Sequence, residues 1–332
     1  MKDDKKIIIG CDISKEKIDI ASVTKENNSK KVIILSEKTF PNTLKGYKAI
    51  IASYNNFHIV IEATGNYHVK FTDFLEKNNI TYSIVNPLII KRYAQMKMMR
   101  FKTDKADARI IALYGIEQNP KSRKALTEVQ ESLKSLTTVR NNLIKQRTMT
   151  SNLLHSQKLL PKADKEAIKA IKAVLRNLNK QIEKIERKMK EVIKEHYENT
   201  YRQITSIKGI GEKTAMAIIA YWGDLSGFDS PKQLASFIGI TPMIRQSGKS
   251  LNKTSGISKR GNARLRTLFY LAALSASKYN IACKEFYERL LEKGKQKKTA
   301  LIAVVNKLLK QLFAIVKKGG IFINGYNISL DF

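Results

Sequence analysis

The sequence is short of acidic residues and contains no long apolar run. Its 332 residues include 29 Asp and Glu against 61 Lys and Arg, a formal net charge of +32. A positive excess of this size favours polyanionic partners, namely DNA, RNA or an anionic membrane surface. The membrane is the weaker option because no apolar run reaches the roughly 18 residues of a spanning helix. The opening MKDDKK also lacks the apolar segment of a signal peptide.

Cysteine and histidine are scarce as well. Cys11 and Cys283 are the only cysteines, and they are far apart without the spacing of a metal site. The four histidines are scattered along the chain. A disulfide framework and a zinc site are therefore not expected, and the composition suits a reducing cytoplasm.

The length is typical of two or three domains. Changes in pattern along the chain predict an α/β domain over residues 1–120, a helical spacer over 121–200 and a mostly helical C-terminal domain over 201–332.

Apolar strands and amphipathic helices alternate in the first domain. A hairpin over Lys6–Val23, with SKEK as its turn, precedes a third strand over Lys31–Phe40. A helix, a strand, a helix and a strand follow, at Thr43–Ser53, His58–Glu62, Tyr67–Lys77 and Thr81–Val85. The order β-β-β-α-β-α-β-α belongs to the ribonuclease-H-like (RuvC-like) fold, in which a mixed sheet has helices on both faces.

Four acidic residues occupy special places in this pattern. Asp12 and Glu62 each end an apolar run. Asp104 and Asp107, in FKTDKADARIIALYG, are three residues apart and share one face of a helix. In a ribonuclease-H-like sheet these four carboxylates would meet at one edge. Grouped carboxylates repel one another unless a cation lies between them, and Mg²⁺ or Mn²⁺ prefers such oxygen ligands.

Two further acids compete for these roles. Asp19 lies on the return strand of the hairpin and Asp73 lies within a helix, and neither ends an apolar strand, so we rank both lower. Next to the acids, Leu88–Lys105 contains six basic residues and one acid. This segment would hold a phosphate close to the carboxylates. Its candidate nucleic-acid contacts are Lys91, Arg92, Arg100 and Lys102.

The predicted spacer shows helical periodicity. Apolar residues recur at steps of three and four from Leu126 to Leu143, and after a break at Leu160-Pro161 a heptad seam runs from Ile168 to Val192. Two such helices can fold back as a hairpin within one chain or pair between chains as a coiled coil. Both arrangements stay open, and the second would make the protein an oligomer.

The C-terminal region contains a Gly-Ile-Gly turn within Ile204–Ala220. Such a turn is typical of a helix-hairpin-helix, whose second helix offers free N–H groups to a phosphate. It can also simply join two packed helices. A final core helix is expected over Ala300–Val316, and a strand or tail over Phe322–Phe332.

An acid-free tract follows the turn: Ser230–Lys284 contains ten Lys and Arg and no Asp or Glu. Its centre, Ile244–Arg266, predicts a phosphate-binding loop. A helix follows from Arg264 to Ser277, with an apolar face of Leu265, Leu268, Leu271 and Leu274. Candidate nucleic-acid contacts in the C-terminal region are Lys208, Lys213, Arg245, Lys249, Lys253, Lys259, Arg260 and Arg264.

A serine within this cationic tract is a candidate nucleophile. The hydroxyl of Ser247 could attack a phosphodiester and hold the strand covalently, and nearby Lys and Arg would stabilise the charge at phosphorus. Ser247 could instead only hydrogen-bond a phosphate or the backbone. Ser250, Ser255 and Ser258 are rivals in the same tract.

Four motifs cover about Ile7–Gly115 and Ile204–Ser277: GCDISKEKIDIA, IEATGNY, FKTDKADA and GITPMIRQSGKSLNKTSGISKRGNARLR. Together they resemble the DEDD transposases of bacterial insertion sequences, the IS110 group, whose relatives include the Piv-type DNA invertases. The resemblance implies that Asp12, Glu62, Asp104 and Asp107 are the acidic set and that Ser247 is the nucleophile. It also implies a guide, or bridge, RNA that pairs with donor and target DNA. Finally, it implies tetramers in which the acidic domain of one subunit meets the serine domain of another.

Three functions compete on these residues. A cut-and-rejoin DNA recombinase would form a covalent serine–DNA adduct and would act as a transposase or an invertase. A metal-dependent junction nuclease would hydrolyse DNA and use the basic tract only as a grip. A non-enzymatic nucleic-acid scaffold would need none of the four acids.

Overall fold

The computed structural model describes residues 6–26, 31–63, 65–99, 103–123, 127–247 and 251–325. Within these ranges it describes all side chains except those of Asp104, 243–247 and 251–255. The chain divides into two compact units, Met1–Ala125 and Leu126–Phe332. The long helices that the sequence sets apart as a spacer are part of the second unit.

The first unit is built on a five-stranded sheet. Its strands are β1 (Ile7–Ile13), β2 (Lys17–Lys25), β3 (Val32–Pro41), β4 (Phe57–Glu62) and β5 (Tyr82–Val85). They lie in the order β3-β2-β1-β4-β5. The pairs β1–β2 and β2–β3 are antiparallel, whereas β1–β4 and β4–β5 are parallel. This order and these directions are those of a ribonuclease-H-like sheet, so the predicted fold class is confirmed.

Helices cover both faces of this sheet. They are α1 (Leu44–Ala52), α2 (Val69–Lys77), α3 (Pro87–Met96) and α4 (Asp104–Gln118). Because successive strand residues point to opposite faces, β1 contributes to two cores. Ile9 and Cys11 pack with Phe71 of α2, whereas Ile8 packs with Ile111 of α4.

The second unit begins with two long helices, α5 (Glu128–Lys158) and α6 (Lys165–His196). They pack against each other as an antiparallel hairpin, and Arg140 of α5 pairs with Glu186 of α6. Three buried residues of α6, Leu178, Ile182 and Met189, lie on the predicted heptad seam, but at its end Ile193 is buried in place of Val192, which is half-buried. The hairpin within the chain is thus one of the two arrangements that the sequence left open.

Shorter helices complete the second unit. They are α7 (Glu198–Ser206), α8 (Glu212–Trp222), α9 (Pro231–Ile238), α10 (Ala263–Tyr279), α11 (Ile281–Glu292) and α12 (Lys297–Lys318). The Gly-Ile-Gly turn joins α7 to α8. Gly209 has φ +107°, and an added Cβ would lie 2.6 Å from the Cβ of Ala276 on α10. Only glycine allows this close packing of the turn.

Helix α12 is the one helix in the described part of the chain that is long and apolar enough to cross a membrane. Half of its most apolar window is buried. Its residues Val304, Leu308 and Leu312 belong to the core of the second unit, and burial of this kind is typical of the central helix of a globular core.

The predicted apolar face of α10 is wrong in its second half. Leu265 and Leu268 are buried, but Leu271 and Leu274 are 55% and 39% exposed. Steps of three residues fall behind the 3.6-residue turn, so a row spaced only by three rotates out of the core. The buried face continues instead through Phe269, Ala272, Ala273 and Ala276.

The predicted phosphate-binding loop is also corrected. Near the centre of the tract, an antiparallel hairpin is formed by β6 (Pro242–Ser247) and β7 (Leu251–Ile257). The Ser, Gly and Lys content of this segment is typical of a loop, yet its backbone pairs from Pro242 opposite Ile257 to Ser247 opposite Leu251. The intervening residues 248–250 lie outside the described residues.

Candidate active site and nucleic-acid interface

Asp12 and Glu62 lie at the same edge of the sheet. In the parallel pair β1–β4, Cys11 is in register with Ile61, and each acid is the next residue along its strand. Neighbouring strands are about 4.8 Å apart. Both acids lie two residues beyond positions that face α4, Gly10 and Val60, so both point to the α4 side of the sheet. Both are half-buried.

The packing of α4 brings its first turn to this edge. An added Cβ at Gly115 would lie 2.6 Å from Ile8, and one at Gly10 would lie 2.4 Å from the carbonyl oxygen of Ala108. Helix α4 is therefore antiparallel to β1, and its N-terminal end lies toward the end of β1 that contains Asp12. Four helical residues span about 6 Å and two strand residues about 7 Å, so the start of α4 is level with Asp12.

Asp104 and Asp107 belong to this first turn. Thr103 is the N-cap, and its hydroxyl oxygen accepts a hydrogen bond from the N–H of Ala106 at 3.2 Å. Asp104 is the first helical residue and Asp107, which is half-buried, is the fourth. Carboxylates are stabilised at a helix N-terminus by the helix dipole. The first turn of α4 is thus a favourable place for two acids.

The carboxylates at this edge are suitable ligands for a divalent cation, although the described side chains alone do not form a complete metal site. Among the side chains that the structure describes, no three of His, Cys, Asp or Glu are close enough together to hold a metal ion. The side chain of Asp104 is outside that set. Partly exposed carboxylates at one edge offer only oxygen ligands, which is the preference of Mg²⁺ and Mn²⁺.

Asp19, which we ranked below the four acids, is a near neighbour of Asp12. The antiparallel register sets Asp12 directly opposite Asp19. The Asp19 side chain is buried, accepts a hydrogen bond from the Thr39 hydroxyl at 2.5 Å and pairs with Lys17 at 3.1 Å. The predicted hairpin turn already implies this pairing. A tight turn centred on Lys15-Glu16 sets residues at equal distances before and after it opposite each other. Asp19 already has a hydroxyl and an ammonium as partners, so it is less suited to bind a metal.

The other rival acid, Asp73, lies away from this edge on the exposed side of α2. It pairs with Lys77 at 2.9 Å. This contact is an ordinary surface ion pair between residues four apart on a helix.

A cationic residue of α4 tightens the packing next to the acids. The Nε of Arg109 donates a hydrogen bond to Glu37 of β3 at 2.6 Å. This bond lowers the pKa of the Glu37 carboxyl, and the charges of Arg109 and Lys105 act in the same direction. Arg109 thereby fixes α4 across the sheet while it supplies positive charge near the acidic edge.

The candidate nucleophile lies at the tip of the β6–β7 hairpin. Ser247 is the last residue of β6 and pairs with Leu251. Two rungs earlier, Arg245 is directly opposite Lys253. Two cationic residues therefore lie two rungs from Ser247 along the hairpin backbone. Of the rival serines, Ser255 lies in β7 and Ser258 follows it, whereas Ser250 lies outside the described residues.

The predicted nucleic-acid contacts divide into three groups. The described and exposed residues are Lys91, Arg92, Lys208, Lys213, Lys259 and Arg260. Arg264 is half-buried at the start of α10, and Arg245 and Lys253 are placed by their backbone alone. Arg100, Lys102 and Lys249 lie outside the described residues.

Two protein-family models match the chain. The IS110-type DEDD model described as "Transposase" matches residues 9–161, and the "Transposase IS116/IS110/IS902 family" model matches residues 201–288. The first match contains the acidic edge and the second contains the basic hairpin. These matches define the class: the protein is a DNA-processing enzyme of the transposase type.

Curated relatives extend the similarity to nearly the whole chain. A pilin gene-inverting protein of Moraxella lacunata is 31% identical over 323 residues, which is 94% of this chain and 96% of that protein. A pilin gene-inverting protein of Moraxella bovis is 30% identical over the same shares. The chain belongs to the IS110-type family of DEDD transposases and DNA invertases.

Among solved structures, T. thermophilus RuvC in complex with a Holliday junction substrate is 10% identical, with a TM-score of 0.28. The overlap covers 36% of this chain and 99% of that one. The strand order and strand directions, and not this overlap, identify the fold of the first unit.

Proposed function

We propose that this protein is the recombinase of an insertion sequence, which cuts and rejoins DNA through a covalent bond to Ser247. In this proposal Asp12, Glu62, Asp104 and Asp107 hold Mg²⁺ (or Mn²⁺) at the reacting phosphate. The observation that supports it most is the geometry of the acidic edge. Sheet register and the packing of α4 bring residues far apart in sequence to one end of the sheet.

The chemistry is a reversible exchange of phosphodiester bonds. The Oγ of Ser247 attacks phosphorus while its proton passes to water, and an Oγ–P bond forms as the bond to one strand oxygen breaks. That oxygen takes up a proton and leaves as a hydroxyl. A strand hydroxyl then reverses the step, so the bond energy is kept and no external energy source is needed.

The two units supply different parts of this reaction. A divalent cation at the acidic edge would stabilise charge on the phosphoryl and leaving oxygens. Lys and Arg of the β6–β7 hairpin and its surroundings hold the phosphates and orient the strand. The resemblance to DEDD transposases implies a tetramer in which the acidic domain of one subunit meets the serine domain of another. We propose the same assembly here.

Both DNA and a guide RNA are proposed partners, within the cytoplasm. The net charge of +32 supports a polyanionic partner, and the family resemblance supports a bridge RNA that pairs with donor and target DNA. The relatives named for pilin gene inversion favour inversion as one outcome of the same strand exchange. Insertion and inversion differ in which strands are rejoined, and the serine chemistry is the same in both.

Trapping of the protein–DNA adduct tests the proposal. The full-length protein is incubated with DNA that carries its element's ends, Mg²⁺ and RNA transcribed from the flanking region, and adducts are resolved on a denaturing gel. We expect an adduct that Ser247→Ala abolishes and that the matched control Ser255→Ala retains. Omission of the RNA should remove the adduct if the guide is required.

Two results would contradict the serine mechanism. Hydrolysed DNA ends without an adduct would indicate a metal-dependent junction nuclease. Strand joining by Ser247→Ala at the rate of the unaltered protein would show that another residue is the nucleophile.

A further inference from the structure

The α5–α6 hairpin divides into two halves of different charge. Its base half, residues 127–140 and 183–196, contains seven Lys and Arg and six Asp and Glu. Its distal half, residues 141–182, contains nine Lys and Arg but only two Asp and Glu. Mixed charges are typical of a solvated helix face, whereas an excess of one sign favours a partner of opposite charge.

Only the base half of the hairpin is anchored in the apolar core of the second unit. Leu133, Met189 and Ile193 belong to that core. Among the described residues, none between 141 and 182 belongs to it or packs against it. The distal half therefore projects from the core as a pair of helices, and most of its side chains are exposed.

Both acids of the distal half lie at the start of α6 and have local partners. Asp164 is the N-cap and accepts a hydrogen bond from the N–H of Ala167 at 2.8 Å. Glu166 is 3.6 Å from the ammonium group of Lys169. From residue 167 to residue 182, α6 contains four Lys and Arg and no acid. The positive charge of this stretch is therefore not offset within its own helix.

An arginine without a carboxylate partner lies between the two helices of the distal half. Because the helices are antiparallel, a step forward along α5 is matched by an equal step back along α6. Seven residues beyond the Arg140–Glu186 pair, Arg147 of α5 is therefore level with Asn179 of α6. Arg147 is half-buried and has no hydrogen bond or ion pair among the described residues. Arg140 thus has a buried anion as its partner, whereas Arg147 faces a neutral amide.

Arg147 lines a groove of about 390 Å³ between the two helices. The other lining residues are Thr148, Ser151 and Asn152 of α5 and Leu175 and Asn179 of α6. Hydroxyl and amide groups can both donate and accept hydrogen bonds. The hydroxyl of Thr148 donates to the carbonyl oxygen of Ile144 at 3.0 Å, so its own oxygen can still accept. The groove thus combines one guanidinium with several neutral hydrogen-bonding groups.

Exposed cations flank the groove on both helices. Lys145 of α5 precedes Thr148 by three residues, and Arg176 of α6 precedes Asn179 by three residues. Residues three apart on a helix lie on the same side of it. A polyanion that lies across the groove would therefore meet positive charge on either side.

We infer that this groove binds the sugar–phosphate backbone of RNA, with Arg147 on a phosphate and the hydroxyl and amide groups on neighbouring 2′-hydroxyls. Arginine presents planar donors that match phosphate oxygens. A 2′-hydroxyl both donates and accepts, and it is the group that distinguishes RNA from DNA. The DNA backbone offers acceptors only, so the neutral lining of the groove suits RNA better. The inference rests on the proposed function only for the presence of an RNA partner.

Nucleic-acid binding by Arg147→Gln tests the inference. The full-length protein is titrated with labelled RNA transcribed from the region that flanks its element and, separately, with DNA of the same sequence, over a series of salt concentrations. We expect Arg147→Gln to weaken RNA binding about tenfold at low salt and to reduce the slope of log K against log salt by about 1. DNA binding should be unchanged. Equal losses with RNA and DNA would overturn the assignment to RNA.

Arg202→Gln is the matched control. It removes the same side chain and the same charge from an exposed position on α7. Helix α7 follows the end of α6, which is about 25 Å along the helix axis from Asn179. We expect Arg202→Gln to bind RNA as the unaltered protein does. Equal losses in Arg147→Gln and Arg202→Gln would overturn the inference, because they would reflect net charge alone.

Ser151→Ala tests the contact with a 2′-hydroxyl. We expect it to weaken RNA binding about threefold, as for the loss of one neutral hydrogen bond. The salt slope and DNA binding should not change, because no charge is removed. Ser156→Ala, at an exposed position outside the groove on the same helix, is the control. Equal RNA affinities for the two serine variants would contradict the contact.

Thermal unfolding without nucleic acid provides a second readout. We expect Arg147→Gln to unfold at the same temperature as the unaltered protein, because no described acid pairs with Arg147. A large decrease would indicate a structural arginine and contradict the inference. RNA binding by Arg147→Gln at full affinity would show that the RNA site lies elsewhere. If the unaltered protein bound no RNA, the guide of the proposed function would fail as well, so the two failures are distinguishable.

Discussion

The two units of the protein gather charges of opposite sign by different means. In the first unit, strand ends and one helix start bring carboxylates to the edge of a mixed sheet. In the second, a hairpin sets Arg245 opposite Lys253, and Arg140 of α5 and Lys213 of α8 both contact Glu186 of α6. Like charges held together on rigid elements repel, so each unit is suited to a ligand of opposite charge. A divalent cation fits the first unit and a phosphate backbone fits the second.

The units also differ in how their elements approach one another. In the first unit the helix backbone lies directly on a strand at Gly10. In the second, helices meet mainly through a large apolar core that includes Trp222 stacked on Phe269. An added methyl group at Gly10 should therefore separate a helix from a strand in the first unit, whereas the comparable close contact of Gly209 in the second unit lies in a turn between helices.

The largest effect is expected on the reaction itself. Asp107→Asn removes one negative charge from the acidic edge while its shape is retained. We expect strand joining in Mg²⁺ to fall about 1000-fold, which corresponds to about 4 kcal/mol in the barrier. The control Asp73→Asn removes an exposed acid of the same unit and should leave the rate unchanged. Equal rates for the two variants would exclude Asp107 from the site.

The next effect tests the close packing in the first unit. Gly10→Ala places a Cβ 2.2 Å from the backbone nitrogen of Ala112, so the helix must move away from the strand. We expect the free energy of unfolding of the first unit to fall by about 4 kcal/mol, as measured by calorimetry. Gly227→Ala, where nothing lies within 4 Å of the added Cβ, is the control in the second unit. Equal and small losses in the free energy of unfolding of Gly10→Ala and Gly227→Ala would contradict this close packing.

The third effect compares ion pairs in the two units. Arg140→Met leaves Glu186, whose side chain is 16% exposed, without its bidentate partner. We expect a loss of about 3 kcal/mol in the stability of the second unit. Lys77→Met breaks a pair whose side chains are 72% and 55% exposed and should change the first unit by less than about 0.5 kcal/mol. Denaturant unfolding measures both, and a loss in Lys77→Met as large as in Arg140→Met would contradict this ranking.

The smallest effect concerns pH. His58 of β4 is buried between Thr81 and Ser83, with Nε2 2.8 Å from the Ser83 hydroxyl. Burial, and secondly the charge of Lys6, lowers the pKa of His58 below its ordinary value. The unfolded chain therefore binds the proton more readily than the folded one. Stability should be complete above about pH 6.5 and decrease as the pH falls below it.

His58→Gln should flatten this pH dependence in the first unit. A single proton changes the slope by at most about 1.4 kcal/mol per pH unit. The same substitution at the exposed His155 of the second unit is the control. An unchanged slope in His58→Gln would show that another group, such as His68, causes the dependence.

Much of the acidic edge could be predicted from sequence because its signals are local. Asp12 and Glu62 follow apolar runs, which mark buried strands, and the spacing of Asp104 and Asp107 marks one face of a helix. The fold class followed from the order of the elements along the chain. The turn at Lys15-Glu16 also sets the pairing of Asp19 with Asp12.

The sequence by itself determined the order of strands and helices, the strand-end acids and the surplus of positive charge, because periodicity and turn residues act between near neighbours. Only the tertiary structure decided that Arg140 of one long helix pairs with Glu186 of the other and that residues 242–257 of the basic tract form a hairpin. Arg140 and Glu186 are 46 positions apart, and their proximity depends on how whole helices pack against each other.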